Sequence, residues 1–171
     1  MRRRDLLGLA VPLAAGCGYR VGGKAVLLPD TVRSIAIPAF SNVTTRYKLA
    51  ERLPAAIGRE FLTRTRYRVV YDVNEADAVL TGGVANYLSA PTIFDQASGR
   101  AAGVQVSVYL NIKLTNRATG EVLYERAGME IRQRYEVSIE QQAYFDESES
   151  ALDRMSREVA RQVVSTILEA F

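Results

Sequence analysis

Gly103-Val104-Gln105-Val106-Ser107-Val108-Tyr109-Leu110-Asn111-Ile112-Lys113-Leu114-Thr115 alternates without a break. Val104, Val106, Val108, Leu110, Ile112 and Leu114 share one face, and Gln105, Ser107, Tyr109, Asn111 and Lys113 share the other. A period of two over this length specifies a half-buried strand. Asn116-Arg117-Ala118-Thr119-Gly120 then turns the chain. The next strand, about Glu121 to Val137, divides the same way. Ala127, Met129 and Ile131 fall on one side, and Arg126, Glu130, Arg132 and Arg134 on the other. A hairpin keeping both apolar faces together sets these arginines beside Lys113 and Asn111, because a one-residue slip would bury them. The expected product is a polar, basic sheet face. It is either simply solvated or a landing surface for anionic groups, since Arg forks match phosphate geometry.

The rest of the chain supplies cover for the apolar face. At the C-terminal end, Leu152, Met155, Val159, Val163, Ile167 and Phe171 form one stripe of a helix, about Glu147 to Glu169, with Val164 and Leu168 beside it. Arg154, Arg157 and Arg161 lie off that stripe, and Asp146, Glu147 and Glu149 crowd its start, where negative charge suits the helix dipole. An earlier helix, roughly Arg46 to Thr63, carries Leu49, Leu53, Ile57 and Phe61 at four-residue spacing, with Leu62 widening the stripe. Pro54 interrupts it. Either the helix kinks there, or Pro54 sits in the first turn of a shorter helix. Before it, Arg33 to Phe40 reads as a strand with Ile35, Ile37 and Ala39 on one face. Pro38 makes this an edge strand or turns its proline outward.

Tyr67 to Asp72 is a further strand, Asn74 to Asp77 a turn, and Ala78 to Leu88 a long strand. Gly82-Gly83 within it marks a bulge or a close approach. Ser89 to Ala102 reads as a loop whose Ile93 and Phe94 either tuck beneath it or stand out as a contact point, and Ser138 to Phe145 as a polar connection. The order predicts an α+β fold: a two-layer sandwich, two helices on one face of a mostly antiparallel or mixed sheet of four to five strands.

The 171 residues suit one domain, and hydrophobic residues at 48% allow an ordinary core. Histidine is absent, which removes Ser-His-Asp and Cys-His catalysis and His-based metal sites. No dinucleotide or phosphate-loop motif occurs, and no carboxylate pair stands in a recognisable catalytic frame. The expectation is a non-enzyme without cofactor or metal.

The start of the chain is of another kind. Met1-Arg2-Arg3-Arg4, an apolar run from Leu6 to Leu13, and Ala14-Ala15-Gly16 have the layout of a secretory signal. Leu13-Ala14-Ala15-Gly16-Cys17 resembles the lipobox of bacterial lipoproteins, in which the cysteine is acylated after cleavage before it. The alternative is a plain signal with a chance cysteine. Cys17 is the only cysteine of the chain, and its thiol is the nucleophile such a transfer needs. The expected divisions are a signal over 1–16, a lipidated terminus and tether over 17–32, and a single domain over 33–171. Gly18, where an inner-membrane lipoprotein often has aspartate, favours outer-membrane sorting by that resemblance. Arg3-Arg4 leaves a twin-arginine export route open. Removing the signal takes three cations and one anion, so the net charge falls from +3 to +1. That is too little basic imbalance for a nucleic-acid binder.

Several pieces in order carry a wider resemblance: Cys17-Gly18-Tyr19-Arg20-Val21, Ile35-Ala36-Ile37-Pro38-Ala39-Phe40 with Asn42, Ala76-Asp77-Ala78-Val79-Leu80-Thr81-Gly82, the strand after Gly103, Thr119-Gly120-Glu121-Val122-Leu123, Tyr135, and the last helix. Together they resemble the LptE family, the lipoprotein subunit of the outer-membrane lipopolysaccharide translocon. The resemblance implies a protein that binds and plugs the LptD β-barrel, assists its assembly, and binds lipopolysaccharide for delivery to the outer leaflet. Pro54 departs from that family's first helix. The resemblance does not point to particular glycolipid contacts. Strand parity nominates Lys113, Arg126, Arg132 and Arg134. A different envelope lipoprotein, serving a cell-wall synthase or secretion channel, shares the anchor and the α+β pattern and stands as the rival reading.

Overall fold

The computed structural model describes residues 28, 29, 31–97, 99–136 and 141–171. The expected signal, Cys17 and most of the expected tether lie outside the described residues. The elements run β1 (Ser34–Ala36), β2 (Ser41–Asn42), α1 (Leu49–Arg64), β3 (Arg68–Val70), a short 3₁₀ turn, β4 (Ala78–Phe94), β5 (Ala101–Asn116), β6 (Val122–Glu136) and α2 (Gln141–Glu169). The strands form one mixed sheet in the order β3-β1-β4-β5-β6, with β2 also paired to β4. Pairing is parallel among β3, β1 and β4 and antiparallel from β4 to β6. Both helices pack on one face, as the α+β reading expected.

The alternation in β5 becomes the core. Val106, Val108, Leu110, Ile112 and Leu114 are buried, with Leu80 and Val84 of β4, Leu49, Leu53, Ile57 and Phe61 of α1, and Met155, Val159, Val163 and Ile167 of α2. Each such side chain contributes roughly 1.5–3 kcal/mol by leaving water. Leu62, expected to widen the α1 stripe, is instead 54% exposed and lines an open groove beside Val69 and Val70 of the edge strand β3. Phe171, at the end of the α2 stripe, lies beyond the last helical turn and is also exposed. The packed domain reaches back before residue 33. Leu28 and Val32 are in the core, and the Leu28 N–H donates to the Tyr67 hydroxyl at 2.9 Å.

Two prolines explain each other. β1 is not an edge strand. It lies between β3 and β4 and ends at Ala36, before Pro38 would have to donate to a ladder. Pro54 lies well inside α1, beyond its first turn, where it leaves the Ala50 carbonyl without its helical donor. The Phe40 N–H, freed from the strand by the break at Pro38, bonds that carbonyl at 2.9 Å. The Phe40 ring then lies over Gly82, where a Cβ would come within 2.6 Å of it. At the neighbouring Gly83 the Ser41 Oγ occupies the space of a Cβ. The glycine pair is a close approach, not a bulge.

The stretch expected to be a loop after Leu88 is strand. β4 runs on to Phe94 and returns as β5 from Ala101, and between them the Asp95 N–H donates to the Arg100 carbonyl and the Gly99 N–H to the Asp95 carbonyl. Local turn formers such as Pro91 are tolerated because this part of β4 pairs only with β5, so a missing N–H costs nothing on the open edge. Ile93 and Phe94 are half exposed rather than tucked away, at 50% and 59%. α2 likewise begins at Gln141, earlier than the acidic cluster near Glu147 suggested.

Candidate functional site

The open face of the sheet is built by β4, β5 and β6. Its residues follow from register: Thr81 opposite Lys113, Asn86 opposite Tyr109, Leu88 opposite Ser107, and across to β6, Lys113 opposite Glu125, Tyr109 opposite Glu130, Ser107 opposite Arg132 and Gln105 opposite Arg134. Lys113, Arg132 and Arg134 therefore stand on this face, as parity expected.

Arg126 does not follow them. Between the Leu110–Met129 and Ile112–Arg126 pairs, β6 holds Ala127 and Gly128 against Asn111 alone. Gly128 takes φ +64, and its N–H donates to Asn111 Oδ1 at 2.8 Å. This is a bulge with its left-handed residue supplied by glycine, and an extra residue reverses the side-chain phase. Arg126 pairs with the core residue Ile112 and lines a groove with Glu158, Arg161 and Gln162 of α2. It also borders a shallow depression beside Asn111 and Lys113, so it stands at the rim between the two faces. Gly128 inside a strand pattern was the available signal, and strict alternation read across it gave the wrong side.

The remaining cations are not one patch either. Lys113 lies six residues along β5 from the partner of Arg132, about 20 Å at the strand rise. Lys113 Nζ is 3.7 Å from Glu125 Oε2. Arg132 holds Glu130 in a fork, Nε to Oε1 at 2.7 Å and Nη2 to Oε2 at 2.8 Å. The Tyr109 hydroxyl donates to the same carboxylate at 2.8 Å. These contacts, the arginine first and then the phenol, hold the Glu130 carboxyl below its ordinary pKa, and the Glu130 carboxylate raises both Arg132 and Tyr109. Arg134 makes no ion pair among the described residues. The face is thus a set of local ion pairs and not a uniform basic field.

Sequence reasoning also missed what lies beside those arginines. Register puts Leu88 opposite Ser107 and Ile93 opposite Gly103 on this same face, with Phe94 opposite Ala101 beyond a further register shift at the hairpin tip. All three are half exposed. The outer half of the open face therefore presents apolar side chains next to guanidinium groups, a pattern that suits an amphiphile bearing anionic groups.

Asp77 explains one of the sequence motifs. Its Oδ2 accepts from the backbone N–H groups of Arg33 and Ser34, each at 2.9 Å, and from Ser34 Oγ at 2.8 Å. The Arg33 and Ser34 donors hold its carboxyl below the usual range. Asp77 ties the start of β1 to the start of β4 and is a fold residue.

No group of three or more candidate metal ligands occurs among the described residues, and no described helix is long and apolar enough to cross a membrane.

Similar folds occur among solved bacterial lipoproteins. Rare lipoprotein B from Shewanella oneidensis superposes with a TM-score of 0.51 at 12% identity, over 80% of this chain and 94% of that one. A putative lipoprotein from Caulobacter crescentus gives 0.52 at 12%, over 81% and 88%. Lipoprotein B from Nitrosomonas europaea gives 0.51 at 18%, over 85% and 87%. At these identities the likeness is one of fold. No curated protein sequence matches the chain. The family model for LptE, lipopolysaccharide-assembly, matches residues 32–167. That span contains every described strand, Pro38, Pro54, Pro91 and nearly all of α2, and on it the chain belongs to the LptE family.

Proposed function

We propose that this chain is an outer-membrane lipoprotein, anchored through Cys17, that binds and plugs an LptD-type β-barrel, assists its assembly, and helps deliver lipopolysaccharide to the outer leaflet. The observation that carries this reading is the family match over 32–167. The geometry supports the glycolipid part. On the outer half of the open face, Leu88 and Ile93 of β4 lie across β5 from Arg132 and Arg134 of β6. Acyl chains would meet the apolar residues and phosphates the guanidinium groups, which would weaken the glycolipid's self-association. Lys113 and Arg126 would act separately, at the other end of the strands. The part played is non-catalytic, positioning a lipid and a barrel.

The test is an affinity pull-down of the tagged, lipidated chain from native outer membranes. A large β-barrel recovered in stoichiometric amount supports the reading. A cell-wall synthase or a secretin in its place, or no partner at all, overturns it.

A further inference from the structure

The helix layer, on the side away from the open sheet face, holds a feature that this function does not use. α1 and α2 run parallel and in register. Arg52 Nη1 bonds Asp153 Oδ1 at 2.7 Å, and Arg64 Nη1 bonds Ser165 Oγ at 2.7 Å. Both contacts join residues 101 apart in sequence, so the helices are clasped at two points with a constant offset. Between the clasps is a cleft of about 570 Å³. Ala55 and Arg59 of α1 line it with Ser156 and Arg157 of α2, and Glu51 and the Arg52–Asp153 pair close one end.

Two observations there point to a ligand. Arg59 and Arg157, facing one cleft from two helices, form no ion pair among the described residues. Arg52 and Arg64 at the clasps each have an acidic neighbour, Asp153 and Glu60. The Ser156 hydroxyl is buried, the residue being 3% exposed, and finds no hydrogen-bond partner. An unpartnered buried hydroxyl costs roughly 1–3 kcal/mol. Close helix packing does not require it. Ala56 and Ala160 are buried in the same helix layer, and an alanine at 156 would pack there without the cost.

We propose that this seam is an oxyanion site, in which Arg59 and Arg157 hold a phosphate monoester and Ser156 Oγ donates to one of its oxygens. Guanidinium forks match phosphate oxygens in geometry and charge. A single anion neutralises both arginines and satisfies the hydroxyl. The site is distinct from the open sheet face and does not depend on Arg132 or Arg134.

The experiment is calorimetric titration of the full mature chain at low salt with inorganic phosphate and, separately, with glucosamine 6-phosphate. Saturable binding is expected, weakened at least about tenfold in Arg59→Gln/Arg157→Gln, in line with the loss of charge-assisted hydrogen bonds. Ser156→Ala should bind a few-fold more weakly. Arg132→Glu/Arg134→Glu should bind as the unmodified chain does, which separates this site from the glycolipid reading. Tighter binding of the sugar phosphate identifies a headgroup as the source, and equal binding identifies free phosphate. Absence of saturable binding, or binding that survives Arg59→Gln/Arg157→Gln, overturns the proposal. So does a Ser156→Ala chain that is more stable and binds both probes unchanged.

Discussion

The two halves of the β4–β5 hairpin share the unbroken alternation of β5, but a register shift between Val84 and Asn86 reverses the phase of β4, and their environments differ. At its base, from Ala78 to Val84, β4 has β1 and β2 along one edge and β5 along the other, with helices over its apolar face. Leu80, Val84, Leu110, Ile112 and Leu114 are all but inaccessible there. Beyond Asn86, β4 keeps only β5, and Leu88 and Ile93 stand half exposed on the open face. The base is a folding core. In the outer half Val106 and Val108 still belong to the core, and it is the open face that the fold holds out as a surface. A strand's own pattern says which residues share a face, while burial depends on what the rest of the chain lays over that face.

The largest expected break in this contrast is at the base. Leu110→Ala should cost about 3 kcal/mol in chemical denaturation, since it removes a fully enclosed side chain that the surroundings cannot replace. Leu88→Ala, one strand away on the open face, should cost under about 0.5 kcal/mol. Equal losses would mean the open face is also covered.

Glycines give the next contrast. Gly82→Ala drives a methyl to within 2.6 Å of the Phe40 ring and should cost about 2 kcal/mol through overpacking. Gly103→Ala meets Ile93 at 3.1 Å, where a half-exposed side chain can give way. Its melting temperature should move much less. A larger loss at Gly103 would show the outer hairpin to be rigidly packed.

Asp77→Asn tests the tie at the start of β1. Asparagine keeps the shape and loses the charge, for an expected cost of about 1 kcal/mol at neutral pH. The sign with pH follows from the depressed carboxyl. Its stabilisation is complete above the unfolded-state value and is lost as pH falls through the lower folded-state value. Unfolding scans at descending pH should therefore bring the native and variant chains together in acid. A constant difference would assign the effect to shape.

The smallest effect on stability is expected for Arg132→Glu/Arg134→Glu. Both residues are exposed, and exposed ion pairs contribute little. The urea midpoint should hardly move, while lipopolysaccharide binding should fall about tenfold. Unchanged binding in a folded double variant removes the open face from the glycolipid reading.

Much of this was readable in advance because it is local. The alternation of β5, the stripes of α1 and α2 and the Asn116–Gly120 turn each depend on neighbours a few residues away. Arg126 was misplaced because the phase of β6 changes at Ala127–Gly128, and the bulge depends on pairing with Asn111 across the hairpin. Lys113, Arg132 and Arg134 were rightly set on one face, but their acidic partners and their separation depend on register. Pro54 was ambiguous because its consequence is at Phe40, outside the helix altogether.

From sequence alone came the two-layer α+β architecture, the residues of the core, the family resemblance and the expectation of an acylated Cys17. Each rests on periodicity, composition or order, which are written along one chain. Tertiary structure alone decided that β1 is interior, that the presumed loop is strand, that Arg126 stands apart, and that Arg59, Ser156 and Arg157 meet in one cleft. These are relations between residues far apart in sequence, and only a folded backbone sets the register and distance on which hydrogen bonds and ion pairs depend.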